Sequence, residues 1–297
     1  MLEYIMQKKN TRDIHIKIAN ETMSYIYQNI DTSINIDELA ISFNISKIHL
    51  HNVFKEQMDI NIYEFIKSIR LQKASNLLLT NKYSTITEIA NICGYSSQSS
   101  FIKAFKKRFE KTPKEWRNRG YEEYSKKIFE NSKLINYLPN FDKSKVKIVK
   151  TESKVIYYIR QKGYKTEEAK EKWQQLQAWV YTNSLENYEQ ISIFHDNPAI
   201  TPHKDCFYIA AINPSSNKRI KNTKLPYTIL PKGLYATFEI YGDQSEIGWF
   251  IKWAYQEWLP NSGFETTTEP SYAIMHKNHF LEENGVDATY YLPIRNL

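Results

Sequence analysis

The sequence predicts a multi-domain protein: an all-α double helix-turn-helix region followed by an α+β domain, a duplicated strand-helix-strand-strand unit on an antiparallel sheet. Three observations predict it. From Ile14 to Lys114 apolar residues recur at helical spacing with few Gly or Pro, whereas from Val146 β-branched and aromatic residues alternate, as in VKIVKTESKVIYYIR. Charge is divided in the same way: residues 1–120 hold 18 Lys and Arg against 12 Asp and Glu, and the rest hold 22 against 21. Only the first region is basic enough to seek a polyanion. Of the 42 aromatic residues, 29 lie beyond residue 120, where a second core needs them.

In the helical region, His15–Ile30 reads as one amphipathic helix with Ile18, Met23, Ile26 and Ile30 on its stripe. Ile62–Thr80 is a longer helix with Tyr63, Ile66, Ile69, Leu77 and Leu78 at core spacing, long enough to join two subdomains. A repeat flanks it. Ile34–Met58 is similar to Ser84–Phe109: Glu38 and Ala40 recur as Glu88 and Ala90, and Phe54-Lys55 recurs as Phe105-Lys106. Each copy reads as a helix-turn-helix, turning at Asn44-Ile45 or Gly94-Tyr95, with Ser46 or Ser96 as the cap of its second helix. Gly94 suits the positive φ such a turn needs, and Asn44 can adopt it less comfortably.

The polar stretch after Arg119 reads as a linker with one short helix. Beyond it, strands in KVIYYIRQKGY, the helix EEAKEKWQQLQAWVYTN, and strands QISIFHD and CFYIAAI form one half. Strands in GLYATFEIYGD, the helix SEIGWFIKWAYQEWL, and strands SYAIMH and ATYYLPI form the other. Helices on one face of the sheet, approximate two-fold symmetry and a cleft between the halves follow.

The composition excludes several classes of function. Apolar residues are 41% and charged residues 25%, a globular balance. No run is long and apolar enough for a membrane span, and the first residues lack a signal-peptide pattern, so a cytoplasmic protein without a membrane partner is expected. Cys93 and Cys206, far apart and without metal-ligand spacing, read as two buried thiols, and no metal or cofactor is expected.

In a helix-turn-helix the second helix reads bases with its N-terminal residues. Ser46, Ile48, His51 and Asn52 form the exposed set of the first unit. Ser96, Gln98, Ser99, Ser100 and Lys103 form that of the second. Asn52 and Gln98 suit adenine, Ile48 a thymine methyl, and Lys103 guanine or phosphate. Lys103, Lys106, Lys107, Arg108, Lys111, Lys114, Arg117 and Arg119 make the densest basic run, facing Glu110 and Glu115. A lone charge run is usually a solvated face, but beside a repeated helix-turn-helix it fits phosphate contact.

IDELAISFNISKIHLHNVFK, RLQKASNLLL and ITEIANICGYSSQSSFIKAFKKRFEKTPKEWR together resemble the DNA-binding domain of AraC/XylS-family regulators over residues 14–118. The resemblance implies double-stranded DNA as partner, with the two recognition helices in successive major-groove segments about 34 Å apart. It implies base contacts at Ile48, His51, Asn52, Ser99, Ser100 and Lys103. Asn52 stands where many members have Arg. Asp59 and Glu110 replace glycines common after each FK helix, suggesting slightly different helix ends. On this reading residues 10–118 are the DNA-binding domain, with units at 34–58 and 84–109, residues 119–144 a linker, and residues 145–297 the second domain.

That second domain resembles the GyrI-like effector-binding domain, on FHDNPAITP, CFYIAAI, ILPKGLYATFEIYG, the tryptophan helix ending WLPNSGF, and the closing YYLPI. The resemblance implies a central cleft for a hydrophobic, often cationic, small-molecule effector. Tyr157, Phe194, His195, Trp249, Trp253, Tyr272 and Tyr290 are the candidate lining residues. Ala273 stands where many members carry an acid, which favours a neutral or aromatic effector over a cation. Asp196-Asn197-Pro198 reads as a turn. The expected function is a sequence-specific transcription regulator, an activator that contacts RNA polymerase, and not an enzyme. Sequestration or hydrolysis of small molecules by the second domain is the alternative.

Overall fold

Two separate apolar clusters organise the helical region, and one long helix belongs to both. The structure, a computed structural model, describes residues 2–131, 145–164, 166–215, 220, 223, 225–277 and 285–296. Helices α1 (Leu2–Gln28), α2 (Ile36–Ser42) and α3 (Lys47–Met58) precede the long α4 (Ile62–Thr80). After it come α5 (Ile86–Ile92), α6 (Gln98–Phe109), the short α7 (Pro113–Glu115) and α8 (Tyr121–Asn131). The first helix is thus longer than the apolar stripe predicts. Ile62, Phe65, Ile66 and Ile69 of α4 join the first core, with Ile26, Leu50 and Phe54. Leu71, Ala74, Leu77 and Leu78 join the second, with Phe101, Phe105 and Trp116.

The two helix-turn-helix units repeat down to single hydrogen bonds. The carbonyl of Ala40 accepts from Ile45 N at 3.1 Å, and that of Ala90 from Tyr95 N at 3.0 Å. Asn44 (φ 56°) and Gly94 (φ 73°) make the turns in the left-handed region. At Gly94 a Cβ would also lie 2.7 Å from the Arg70 guanidinium, whose side chain can move aside, so it is the φ that selects glycine.

Three expectations are corrected. Ser97, not Ser96, caps α6: its hydroxyl accepts from Ser100 N at 3.3 Å. Asp59 and Glu110 do not alter the helix ends, because both adopt the left-handed cap (φ 51° and 59°) that glycine would take. Their N–H groups donate to Lys55 O and Lys106 O at 2.9 Å. Ion pairs with Lys162 at 2.9 Å and Lys127 at 3.2 Å help offset the roughly 1 kcal/mol such a residue costs there. The linker reading also fails for residues 119–131, since α8 buries Tyr124, Ile128 and Phe129 in the second core. Residues 132–144 lie outside the described residues.

The second region is one antiparallel sheet. Its strands are β1 (Lys147–Thr151), β2 (Lys154–Lys162), β3 (Tyr188–Phe194), β4 (Phe207–Pro214), β5 (Tyr227–Leu230), β6 (Gly233–Gly242), β7 (Phe264–Thr266), β8 (Ser271–Met275) and β9 (Val286–Asn296). Helix α9 (Thr166–Thr182) follows β2, and α10 (Gln244–Trp253) follows β6. The spatial order β1-β6-β9-β8-β3-β4-β2-β5, with β7 on β9, has its two-fold centre at the β3–β8 seam. Each leading strand crosses to the other half: β1 pairs with β6 and β5 with β2. Both helices lie on one face, since β4 residues packed on α9 and β9 residues packed on α10 share side-chain parity across the seam.

Candidate nucleic-acid interface and small-molecule cleft

Each recognition helix is pinned by its apolar side and capped by a hydroxyl, leaving its N-terminal polar side outward. In α3, Leu50, Val53 and Phe54 are buried, and Ser46 Oγ accepts from His49 N at 3.1 Å. Ser46 and Asn52 are exposed, and Ile48 is 74% exposed. His51 sits 5.2 Å from the Tyr63 ring, and burial with the nearby Lys47 cation lowers its pKa, favouring neutral imidazole.

In α6, Phe101, Phe105 and Phe109 point inward, while Ser96 in the turn and Gln98, Ser99, Ser100, Lys103, Lys106 and Lys107 on the helix are exposed. Ser99, Lys103 and Lys107 follow one helical face at four-residue spacing. The Ser100 hydroxyl is engaged locally, donating to Ser97 O at 2.9 Å. Arg108 departs from the expected stripe: it donates to Tyr124 Oη at 3.0 Å and to Ile200 O and Thr201 Oγ1 at 3.4 Å, because it lies on the side facing the second domain. Lys111 and Arg119 pair with Glu123 and Glu122, and Arg117 donates to Ser84 O. The exposed basic face of α6 itself therefore consists of Lys103, Lys106 and Lys107.

In the second domain the helix-bearing face at the β3–β8 seam carries an aromatic group. The Phe194 ring lies 6.1 Å from each of Tyr164, Tyr208 and Tyr290. Tyr290 Oη donates to Ser271 Oγ at 2.7 Å, and Ser192 and Tyr208 hydroxyls are 3.0 Å apart. Trp253 approaches through Phe238, 6.1 Å away. Ala273 is buried here, paired with Ser192 and Tyr290.

The other expected lining residues do not converge on this group. Tyr157 lies on the same face but under α9, stacked 5.0 Å from Trp179. Tyr272 points to the opposite face, stacked 4.5 Å from Tyr291, because its strand neighbour Ala273 takes the seam-facing position. Trp249 packs on Phe129 of α8. His195 leaves the sheet and stacks on Tyr27 of α1, with Nδ1 2.8 Å from Tyr27 Oη. Tyr164 and Tyr208 stand around Phe194 instead, and Ser271 beside Tyr290. The alternation of Tyr208 with Ala210 in CFYIAAI placed them on one face, but the facing strand was needed to know which face.

Helix α4 closes over the seam. A cavity of about 40 Å³, room for a few waters, lies between Gln72, Lys73 and Asn76 of α4 and Phe194, Tyr255 and Ser271. A larger one of about 560 Å³, within the range of small-molecule sites, separates α4 and α6 from the β3–β4 loop, with Phe65, Lys107, Arg108, Thr201 and Phe207 among its walls. Two acids stand near the seam, Asp196 buried and Glu269 half-buried; desolvation raises the pKa of both, opposed at Asp196 by N–H donors from Phe207 and Gln72.

Comparison with known proteins gives a family model for each region. A family model for a helix-turn-helix domain matches residues 39–119, and one for the GyrI-like small molecule binding domain matches residues 144–295. The Msm operon regulatory protein of Streptococcus mutans is 33% identical over 99 residues, 33% of this chain and 35% of that protein. The xylose operon regulatory protein of Escherichia coli is 36% identical over 116 residues, 38% of this chain and 29% of that protein. Regulatory protein SoxS of E. coli is 32% identical over 105 residues, 35% of this chain and 97% of SoxS. The solved C-terminal domain of AraT, a response regulator from Geobacillus stearothermophilus, is 28% identical, with 34% of this chain and 84% of that one covered at a TM-score of 0.33. The chain spans about a third of the Msm and xylose regulators and nearly all of SoxS.

Fold and presented helices define a protein of the helix-turn-helix class with a small-molecule-binding domain attached. The chain belongs to the AraC/XylS family of transcription regulators and carries a GyrI-like domain. Among the described residues no helix is long and apolar enough to cross a membrane.

Proposed function

We propose that this protein is a sequence-specific transcription activator that reads two successive major-groove segments of double-stranded DNA, contacts RNA polymerase, and is controlled by a small hydrophobic effector in the cytoplasm. The observation that carries the DNA reading is the matched pair of capped helices, α3 and α6, whose outward residues are Ser46, Ile48, Asn52, Gln98, Ser99 and Lys103 while their cores share α4. Lys106 and Lys107 add phosphate contacts. The effector seats at the aromatic seam around Phe194 and Tyr290, and with Ala273 there a neutral aromatic compound is favoured over a cation. Entry requires α4 to lift, which links the effector to the helix that joins both reading units. Binding is better supported than turnover, because Ser192 and Ser271 are hydrogen-bonded to tyrosine hydroxyls whose pKa values are raised by burial.

The test is selection of DNA from a random pool with the full-length protein at fixed salt, beside an Asn52→Ala, Lys103→Ala double variant. Enrichment of a site of about 20 base pairs with two blocks one turn apart, lost in the variant, supports the reading. No enrichment by the wild type refutes it.

A further inference from the structure

The successive residues of the loop between β3 and β4 reach α1 in the first core, the middle of α4, and α6 of the second helix-turn-helix unit. His195 stacks on Tyr27 of α1, a member of the first core, at 5.6 Å and 7° between ring planes. Asp196 Oδ1 accepts from Gln72 Nε2 at 2.9 Å, and Asn197 N donates to Gln72 Oε1 at 3.1 Å, both buried against the middle of α4. Ala199 O accepts from Ser125 Oγ of α8 at 2.7 Å, and Ile200 O and Thr201 Oγ1 face Arg108 of α6. The loop is itself stiffened, since Asp196 Oδ2 accepts from Phe207 N at 2.8 Å and Asn197 Oδ1 from Ala199 N at 2.9 Å. The regions are also joined by Arg160 and Lys162 of β2, which reach Met58 and Asp59, and by Trp249, which packs on Phe129; the loop adds the fastening at the middle of α4.

Gln72 lies one residue past Leu71, the first α4 residue of the second core, and three past Ile69, the last of the first. A two-pronged bond at that point holds the helix where bending would most change the separation of the recognition helices. A buried carboxylate is a poor choice for stability alone, since an apolar residue of the same shape costs less to bury. Its value is directional: it fixes one geometry.

Resting on the reading that α3 and α6 both enter the major groove, we infer that the Asp196–Gln72 clamp and the loop around it are a spacing gauge. They determine the number of base pairs this protein accepts between its two half-elements. Each added base pair moves one half-element by about 3.4 Å and turns it by roughly 35°, which a rigid pair of helices cannot follow.

The test measures affinity of the full-length protein for its selected site and for versions with the spacer changed by one or two base pairs, at one salt concentration. Wild type is expected to lose about tenfold or more per altered base pair. Gln72→Leu removes both prongs; affinity for the selected spacer falls no more than about threefold, and discrimination against altered spacers collapses to a similar factor. Gln72→Glu sets two carboxylates together and weakens discrimination as well. Adding Asp196→Asn to it rebuilds the bond in reverse, with the new side-chain amide on the loop donating and the new carboxylate on α4 accepting, and restores the wild-type preference. The inference is overturned if wild type tolerates all spacers alike. Unchanged discrimination in a folded Gln72→Leu protein also overturns it. Where Gln72→Leu fails to fold, the comparison of Gln72→Glu with its double variant decides: rescue supports the gauge, and no rescue in folded proteins overturns it. Failure to select any site refutes the underlying DNA reading instead.

Discussion

His195 should make this protein acid-sensitive, and the effect can be worked from the structure. The ring is half-buried between the two regions, stacked on Tyr27, with Nε2 itself buried and lacking a hydrogen-bond partner among the described residues. Burial first, and then the Arg160 cation, push its pKa down to about 3. The unfolded chain holds the same imidazole near its ordinary value of about 6.5, so it takes up a proton first as pH falls. A base whose folded pKa is depressed contributes stability that is present above the unfolded pKa and lost on the way down to the folded one. Between pH 7.5 and 5 the loss from this one residue is about 2 kcal/mol, a large fraction of a typical folding free energy. The assay is urea unfolding at intervals across that range for wild type and His195→Phe, which keeps the stacked ring and removes the titration. At pH 7.5 the variant should be less stable by about 1 kcal/mol, since Tyr27 Oη loses its partner. At pH 5 it should equal or exceed wild type. Parallel pH dependences in the two proteins would refute the argument.

Three further outcomes follow from the site. Lys103→Ala should lose about 1–3 kcal/mol on the selected site and blur preference at one position, whereas Lys107→Ala should weaken binding to all sequences and lower the salt dependence by about one phosphate; titration at three salt concentrations separates the two. Ser97→Ala should destabilise the protein by about 1 kcal/mol in thermal melts while Ser96→Ala changes little, the reverse of what the serine at the repeat-equivalent position suggests. Phe194→Ala should cost about 3 kcal/mol and increase uptake of a small apolar fluorescent probe, because it opens the space between Tyr208 and Tyr290; unchanged uptake would mean the seam is not the apolar cleft.

Local physics made much of this protein legible from its residues alone. Apolar spacing located α4 and α6, the Ala40/Ala90 repeat exposed two equivalent units, and Gly94 marked a turn only a left-handed residue can make. Period-two alternation and the repeated element order announced a doubled antiparallel sheet, because side-chain parity depends on neighbours in the chain. Pairing between distant strands was another matter. That β1 crosses to β6 and β5 to β2, and that Tyr272 turns away from Tyr290, depends on register, which no local pattern carries. The contacts between regions were the least visible, since Tyr27, Gln72, Arg108, Asp196 and Ser125 are polar side chains that in a sequence resemble solvated surface. Only the tertiary structure buries them against one another, and burial is what turns an ordinary glutamine and aspartate into a specific, directional clamp.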